Sequence, residues 1–270
     1  MAEGHMIVYW ARLLEPLVGE TLERVDLPST KSEWIDTLEG RALQAVDTHG
    51  KNLLLRISGD ITIRCHALMY GSWQVGEPGM ATHKPEKQVR LRLRTAAHEA
   101  VFFNGPVVDI MTDDELATYE PVAGLGPDVM KEDFDRDEAW RRLQQKAGLE
   151  IGEALLDQTI VAGIGNIFKS EALFVAGIDP RREVGYVARD EVERIWDAVI
   201  PMMWANVADG GPIATTPEAL STEGRKLFVY RQTNRPCVGR PDGTECGGTV
   251  EQFRQGQNER ITYWCPLCQH

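Results

Sequence analysis

The sequence predicts an α+β fold in three parts: a helix leading into a β-rich half, a helical half, and a small cysteine-bearing hairpin at the C-terminus. Three observations carry this reading. Short β-type runs broken by turns fill the stretch from Thr21 to about Ile110, helix-period runs dominate after Gly124, and four of the five cysteines lie at or beyond Cys237.

Residues 5–18 place apolar groups at helical spacing, so the first helix begins almost at the N-terminus. Leu53-Leu54-Leu55-Arg56-Ile57, Ile61-Thr62-Ile63-Arg64-Cys65, the run 89–94 and Ala100-Val101-Phe102-Phe103 then read as strands. The run from Val89 alternates apolar and basic side chains, as a half-buried strand does. Several such strands imply a sandwich or a barrel. Helices follow over 137–147, 153–161, 166–176 and 190–207, with Gly163-Ile164-Gly165-Asn166 as a tight turn and Asn166 capping the helix after it. Residues 212–224 are rich in Pro, Gly, Thr and Ser and read as a connector. The domains expected are a β domain over 1–120, a helical domain over 121–222 and a metal module over 223–270.

At 270 residues and 43% hydrophobic content, the chain can bury one large core or two modest ones. No apolar run approaches the ~20 residues needed to span a bilayer, and Glu3 and His5 precede any apolar stretch, unlike a secretory leader. A cytoplasmic protein with no membrane partner is expected. The formal charge of −12 argues against generic polyanion binding, which draws on counterion release by Lys and Arg. The acidity lies upstream, however. Residues 221–270 carry seven Lys/Arg against five Asp/Glu, a net of +2. Any nucleic-acid contact must therefore be a local basic track on an acidic body.

Cys237 and Cys246, then Cys265-Pro266-Leu267-Cys268, read as a structural zinc site. Tetrahedral zinc needs four thiolates converging on one point, and two knuckles on a β-hairpin supply them. The first pair is spaced more widely than Cys-x-x-Cys. Arg260, just before the second knuckle, is placed to reach a phosphate. The turn at Gly163–Asn166 opens a helix whose backbone N–H groups can hold an anion, and Lys169 one turn in favours phosphate. A plain helical hairpin whose glycines merely permit the turn is the alternative.

Taken together, these pieces resemble the formamidopyrimidine-DNA glycosylase / endonuclease VIII family of base-excision repair enzymes. The resemblance runs through Ala2-Glu3-Gly4-His5, Gly50-Lys51-Asn52-Leu53-Leu54, His66-Ala67-Leu68-Met69-Tyr70-Gly71-Ser72-Trp73 and Gly126-Pro127-Asp128. It continues through Asp157-Gln158 with Gly163-Ile164-Gly165-Asn166, and closes on Arg260 and Cys265-Pro266-Leu267-Cys268-Gln269. The family fold it implies is an N-terminal β-sandwich preceded by a helix, a helix–two-turn–helix domain and a C-terminal β-hairpin zinc finger, with damaged DNA as partner. A monomer associated with the nucleoid is expected.

The resemblance also implies roles. After removal of Met1, the amine of Ala2 would attack the sugar C1′ of an extruded nucleotide. Glu3 would protonate the opening sugar, and Lys51 would bind the phosphate beside the lesion. His66, Asn166, Lys169 and Arg260 would contact DNA, and Leu68, Met69 and Tyr70 would fill the void left by the flipped base. The stretch 102–111 lacks the arginine that the formamidopyrimidine branch uses opposite the lesion, so endonuclease VIII and oxidised pyrimidines are the closer match. One departure matters: the family has proline where this chain has Ala2. Three readings stand: a bifunctional glycosylase working through a primary amine, an enzyme shifted toward abasic sites, and a lesion-binding protein with poor catalysis.

Overall fold

The computed structural model describes residues 2–208, 211–216, 225–241, 243 and 245–270. The backbone divides into two compact units, one ending at Gly124 and one spanning Leu125–His270. The connector expected over 212–224 lies mostly outside the described residues.

In the first unit, α1 (Gly4–Leu14) leads to β1 (Arg24–Asp26), the short α2 (Ile35–Leu38), β2 (Leu43–His49), β3 (Asn52–Ile57), β4 (Ile61–His66) and β5 (Ser72–Gly76). After them come β6 (Val89–Arg94), β7 (Glu99–Phe103), β8 (Val107–Thr112), α3 (Asp113–Thr118) and α4 (Glu120–Ala123). The strands form two four-stranded antiparallel sheets, β2-β3-β4-β8 and β1-β6-β7-β5. The choice left open between sandwich and barrel thus resolves to a sandwich. Leu53, Leu55, Ile57 and Ile63 share one core with Leu91, Leu93, Phe102 and Trp73, and α1 adds Ile7, Trp10 and Leu14 to it. Leu54 points the other way and packs with Met111 and Leu116. That second cover explains why β3 is apolar without interruption, where a sheet open to water would alternate. The start of α3 is fixed by a capping box between Thr112 and Glu115.

Two of the three arginines of β6 are paired with acids within the domain. Arg92 meets Asp26, Glu86 and Glu99, and Arg94 meets Glu99. The third, Arg90, donates to the carbonyls of Lys87 and Val89.

The second unit holds α5 (Arg136–Gln144), α6 (Ile151–Ala154), α7 (Asn166–Ala176), α8 (Arg189–Ala205), β9 (Glu251–Gln255) and β10 (Arg260–Trp264). The helix expected over 153–161 stops at Ala154, because local side chains outbid the helical ladder. Asp157 accepts from the Thr159 N–H at 2.9 Å and from its hydroxyl at 2.7 Å. Gln158 donates to the carbonyls of Leu156 and Ile164 and accepts from Gly163 N–H. Two turns result in place of a second helical stretch. Gly126-Pro127-Asp128 runs beside them, with Gly126 N–H donating to Gln158 O at 2.8 Å. A Cβ on Gly126 would lie 2.3 Å from the Ile160 carbonyl, so only glycine fits that approach.

The C-terminal hairpin packs on α7. Phe174, Phe228, Tyr230, Tyr263 and three of the four terminal cysteines share one buried cluster. The wholly buried Glu171 of α7 accepts the N–H groups of Phe228, Val229 and Tyr230 at 2.7–2.9 Å. Its carboxyl is raised above the usual range by burial, against these hydrogen bonds and one from Thr215.

Candidate active site and metal centre

The amphipathic pattern of α1 fixes the N-terminus. Ile7, Trp10 and Leu14 are drawn into the sandwich, and this holds residues 2–5 against it. Glu3 is the extended residue before the helix, wholly buried, and its carbonyl accepts from Met6 N–H at 2.9 Å. Its side chain makes no helix-capping bond. The Ala2 N–H donates to Leu68 O at 3.4 Å, tying the chain start to the Leu68–Tyr70 loop. His5 is buried and its pKa falls to about 4, first through burial and then through the positive chain terminus, so it is neutral at pH 7.

Lys51 sits at the tip of a two-residue hairpin. His49 pairs with Asn52, and Gly50 takes φ +59°, the positive angle that the first position of a type II′ turn asks for. Asn52 pairs in turn with His66 on β4. The His66 ring accepts from Leu68 N–H through Nδ1 at 3.2 Å. Burial, then the charges of Arg64 and Lys51, lower its pKa to about 4. A neutral ring suits that acceptor role.

After His66 the chain turns tightly. Gly71 N–H donates to Ala67 O at 2.9 Å, and a Cβ on Gly71 would sit 2.6 Å from the Ala67 backbone. Leu68 adopts φ +46°, unusual for a branched residue. Leu68, Met69 and Tyr70 are 50%, 50% and 74% exposed, which rules out ordinary core for three consecutive apolar residues. Ala2, Lys51, His66 and this loop therefore share one end of the sandwich.

In the second unit, the expected cap is corrected. Gly165 occupies the N-cap of α7, and Asn166 is already helical. Its amide donates to Ile261 O at 2.8 Å, next to Arg260, and its buried Oδ1 has no hydrogen-bond partner among the described residues. Asn166 and the exposed Arg260 are thus brought together. Lys169 is also corrected: it is wholly buried, and its Nζ donates to the Thr262 hydroxyl at 2.6 Å. It braces β10 against α7 and presents no charge to a phosphate.

The Sγ atoms of Cys237, Cys246, Cys265 and Cys268 lie within 4.8 Å of one another. Two of the separations are 3.8 Å, Cys237 to Cys268, and 3.6 Å, Cys246 to Cys265. A tetrahedron with metal–sulfur bonds of about 2.3 Å has edges of about 3.8 Å, so these four residues could hold a metal such as zinc. Burial pushes the Cys237 thiol up to about 12 and the Cys268 thiol upward as well, so a bound cation would be what holds these two as thiolates. The long span from Cys237 to Cys246 does not prevent convergence.

Against this geometry, two family profiles match: the formamidopyrimidine-DNA glycosylase N-terminal domain over residues 1–107 and its H2TH domain over 125–217. A probable endonuclease 8 2 of Streptomyces coelicolor is 37% identical, covering 100% of this chain and 94% of its own. The chain belongs to the formamidopyrimidine-DNA glycosylase / endonuclease VIII family. A DNA-(apurinic or apyrimidinic site) lyase Nei2 of Mycolicibacterium smegmatis is 32% identical over 100% of this chain and 99% of its own. The Lactococcus lactis formamidopyrimidine-DNA glycosylase, solved non-covalently bound to DNA containing an abasic site, superposes with a TM-score of 0.81 over all of both chains at 22% identity. At that identity the structural likeness speaks for the fold.

One cluster was not read from the sequence: Asn52 and Arg64, both buried, with the half-buried Asp109. Arg64 was the available signal, since an arginine inside an apolar strand must find an acid across the sheet.

Proposed function

We propose that the protein is a DNA glycosylase with abasic-site lyase activity that excises oxidised bases, pyrimidines foremost. With Met1 removed, the Ala2 amine attacks C1′ of an extruded nucleotide and the C1′–N bond to the base breaks. Glu3 delivers a proton to the ring oxygen as the sugar opens, leaving a Schiff base between Ala2 and C1′. Loss of a C2′ proton then expels the 3′ phosphate, and hydrolysis frees the amine. An α-amine has a pKa of about 7.7–8.0, so part of it is nucleophilic at neutral pH. Alanine supplies a primary amine where proline supplies a secondary one, and both form the imine linkage.

Lys51 and His66 contact the strand beside the lesion, and Leu68, Met69 and Tyr70 offset the unstacking cost of base extrusion, a few kcal/mol. Asn166 and Arg260 hold neighbouring phosphates. Zinc, bound by Cys237, Cys246, Cys265 and Cys268, fixes the hairpin that carries Arg260. Such a protein works as a monomer on DNA in the bacterial cytoplasm. Among the described residues no helix is long and apolar enough to cross a membrane. The observation that carries the reading is the wholly buried Glu3 beside Ala2, whose N–H is tied to the exposed Leu68–Tyr70 loop.

The test is a panel of duplexes carrying an oxidised pyrimidine, an oxidised purine or an abasic site. Strand scission at the abasic site and base release from oxidised pyrimidines above purines are the expected results. Binding without scission on any member would leave a lesion-binding protein instead.

A further inference from the structure

The hairpin that presents Lys51 is held by a chain of polar groups, buried at Asn52 and Arg64 and half-buried beyond them. Asn52 is 3% exposed and donates through Nδ2 to the His49 carbonyl at 3.1 Å, closing the base of the turn. Its Oδ1 accepts from Arg64 Nε at 2.8 Å. Arg64, 7% exposed as a residue, donates onward through its guanidinium to Asp109 Oδ2 at 2.8 Å, and the Tyr119 hydroxyl donates to the same oxygen at 3.0 Å. Lys31 lies 3.7 Å from the other Asp109 oxygen, and the Tyr119 ring stacks 5.5 Å from the guanidinium.

A buried arginine pair is weak support for stability, since apolar residues of like volume often serve a fold as well or better. What this chain does provide is direction. It starts on α3–α4 side groups, crosses β8 and β4, and ends on the carbonyl two residues before Lys51. We propose that Asn52, braced by Arg64 and Asp109, is the positioning residue for Lys51. The inference rests on the reading of Lys51 as a phosphate contact beside the reacting sugar. Effects of misplacing such a contact by about 1 Å reach the order of 10²-fold in rate.

Asn52→Asp cuts the chain at one point. It keeps an acceptor for Arg64, so the arginine stays paired, but it removes the donor to His49. Single-turnover scission of an abasic-site duplex is expected to fall about tenfold or more in Asn52→Asp. In a Lys51→Ala background the same substitution is expected to change the rate less than about twofold, because a residue acting through Lys51 has nothing left to place. Asp109→Asn, which loosens Arg64 without touching the turn, is expected to behave in the same way and serves if Asn52→Asp fails to fold. Equal losses in both backgrounds, or a wild-type rate for both single variants, would overturn the positioning role. A wild-type rate for Lys51→Ala alone is a separate outcome: it removes the reading of Lys51, and the brace with it.

Discussion

Glu3→Gln is expected to lower base release by about 10²–10⁴-fold, the usual contribution of a positioned general acid, while affinity for abasic-site DNA stays near that of the unchanged protein. The substitution preserves the size and shape of the wholly buried Glu3 side chain at the start of α1. The fold around it should therefore tolerate an amide. What the amide cannot do is hand a proton to the opening sugar. Single-turnover base release and equilibrium binding, measured on the same preparation, check this. If affinity falls in parallel with rate, Glu3 supports the structure and the acid must be sought elsewhere.

Stripping the metal is expected to produce the second large effect. Four-thiolate zinc sites contribute about 10–16 kcal/mol to the folding of small modules, and here three of the four cysteines lie in the cluster that joins the hairpin to α7. Without the cation that cluster must repack. The bonds from Asn166 to Ile261 and from Lys169 to Thr262 would then be lost together. A strong chelator should thus abolish DNA binding, loosen the Arg260 strand as seen by amide exchange, and be reversed by added zinc. Metal analysis should give about one zinc per chain. DNA affinity that survives complete metal removal would show that the hairpin stands on its apolar contacts alone.

Much of this organisation is legible in the sequence because it rests on local pattern. The period of apolar residues gives α1, and the limits expected for the helix over 166–176 match α7 residue for residue. The Cys-Pro-x-Cys knuckle gives half of the metal site. The failures share one cause, which is competition between a local signal and a partner far along the chain. Asn166 has the chemistry of a cap, but the Ile261 carbonyl claims its amide from the hairpin. Lys169 looks like a phosphate contact until Thr262 is brought over it. The shortened helix at Ala154 reflects Asp157 and Gln158 bonding to nearby backbone, an effect that depends on rotamers and not on periodicity. Asn52, Arg64 and Asp109 meet only through the register of three strands, which no single stretch encodes.

The central claim is that a primary amine at Ala2 performs the Schiff-base chemistry proposed for this site. Borohydride trapping on an abasic-site duplex, followed by peptide mapping of the reduced adduct, tests it most directly. The expected result is a covalent adduct on the amine of Ala2 in protein lacking Met1. No adduct in protein shown to have lost Met1, or an adduct mapped to a lysine such as Lys51, would contradict it.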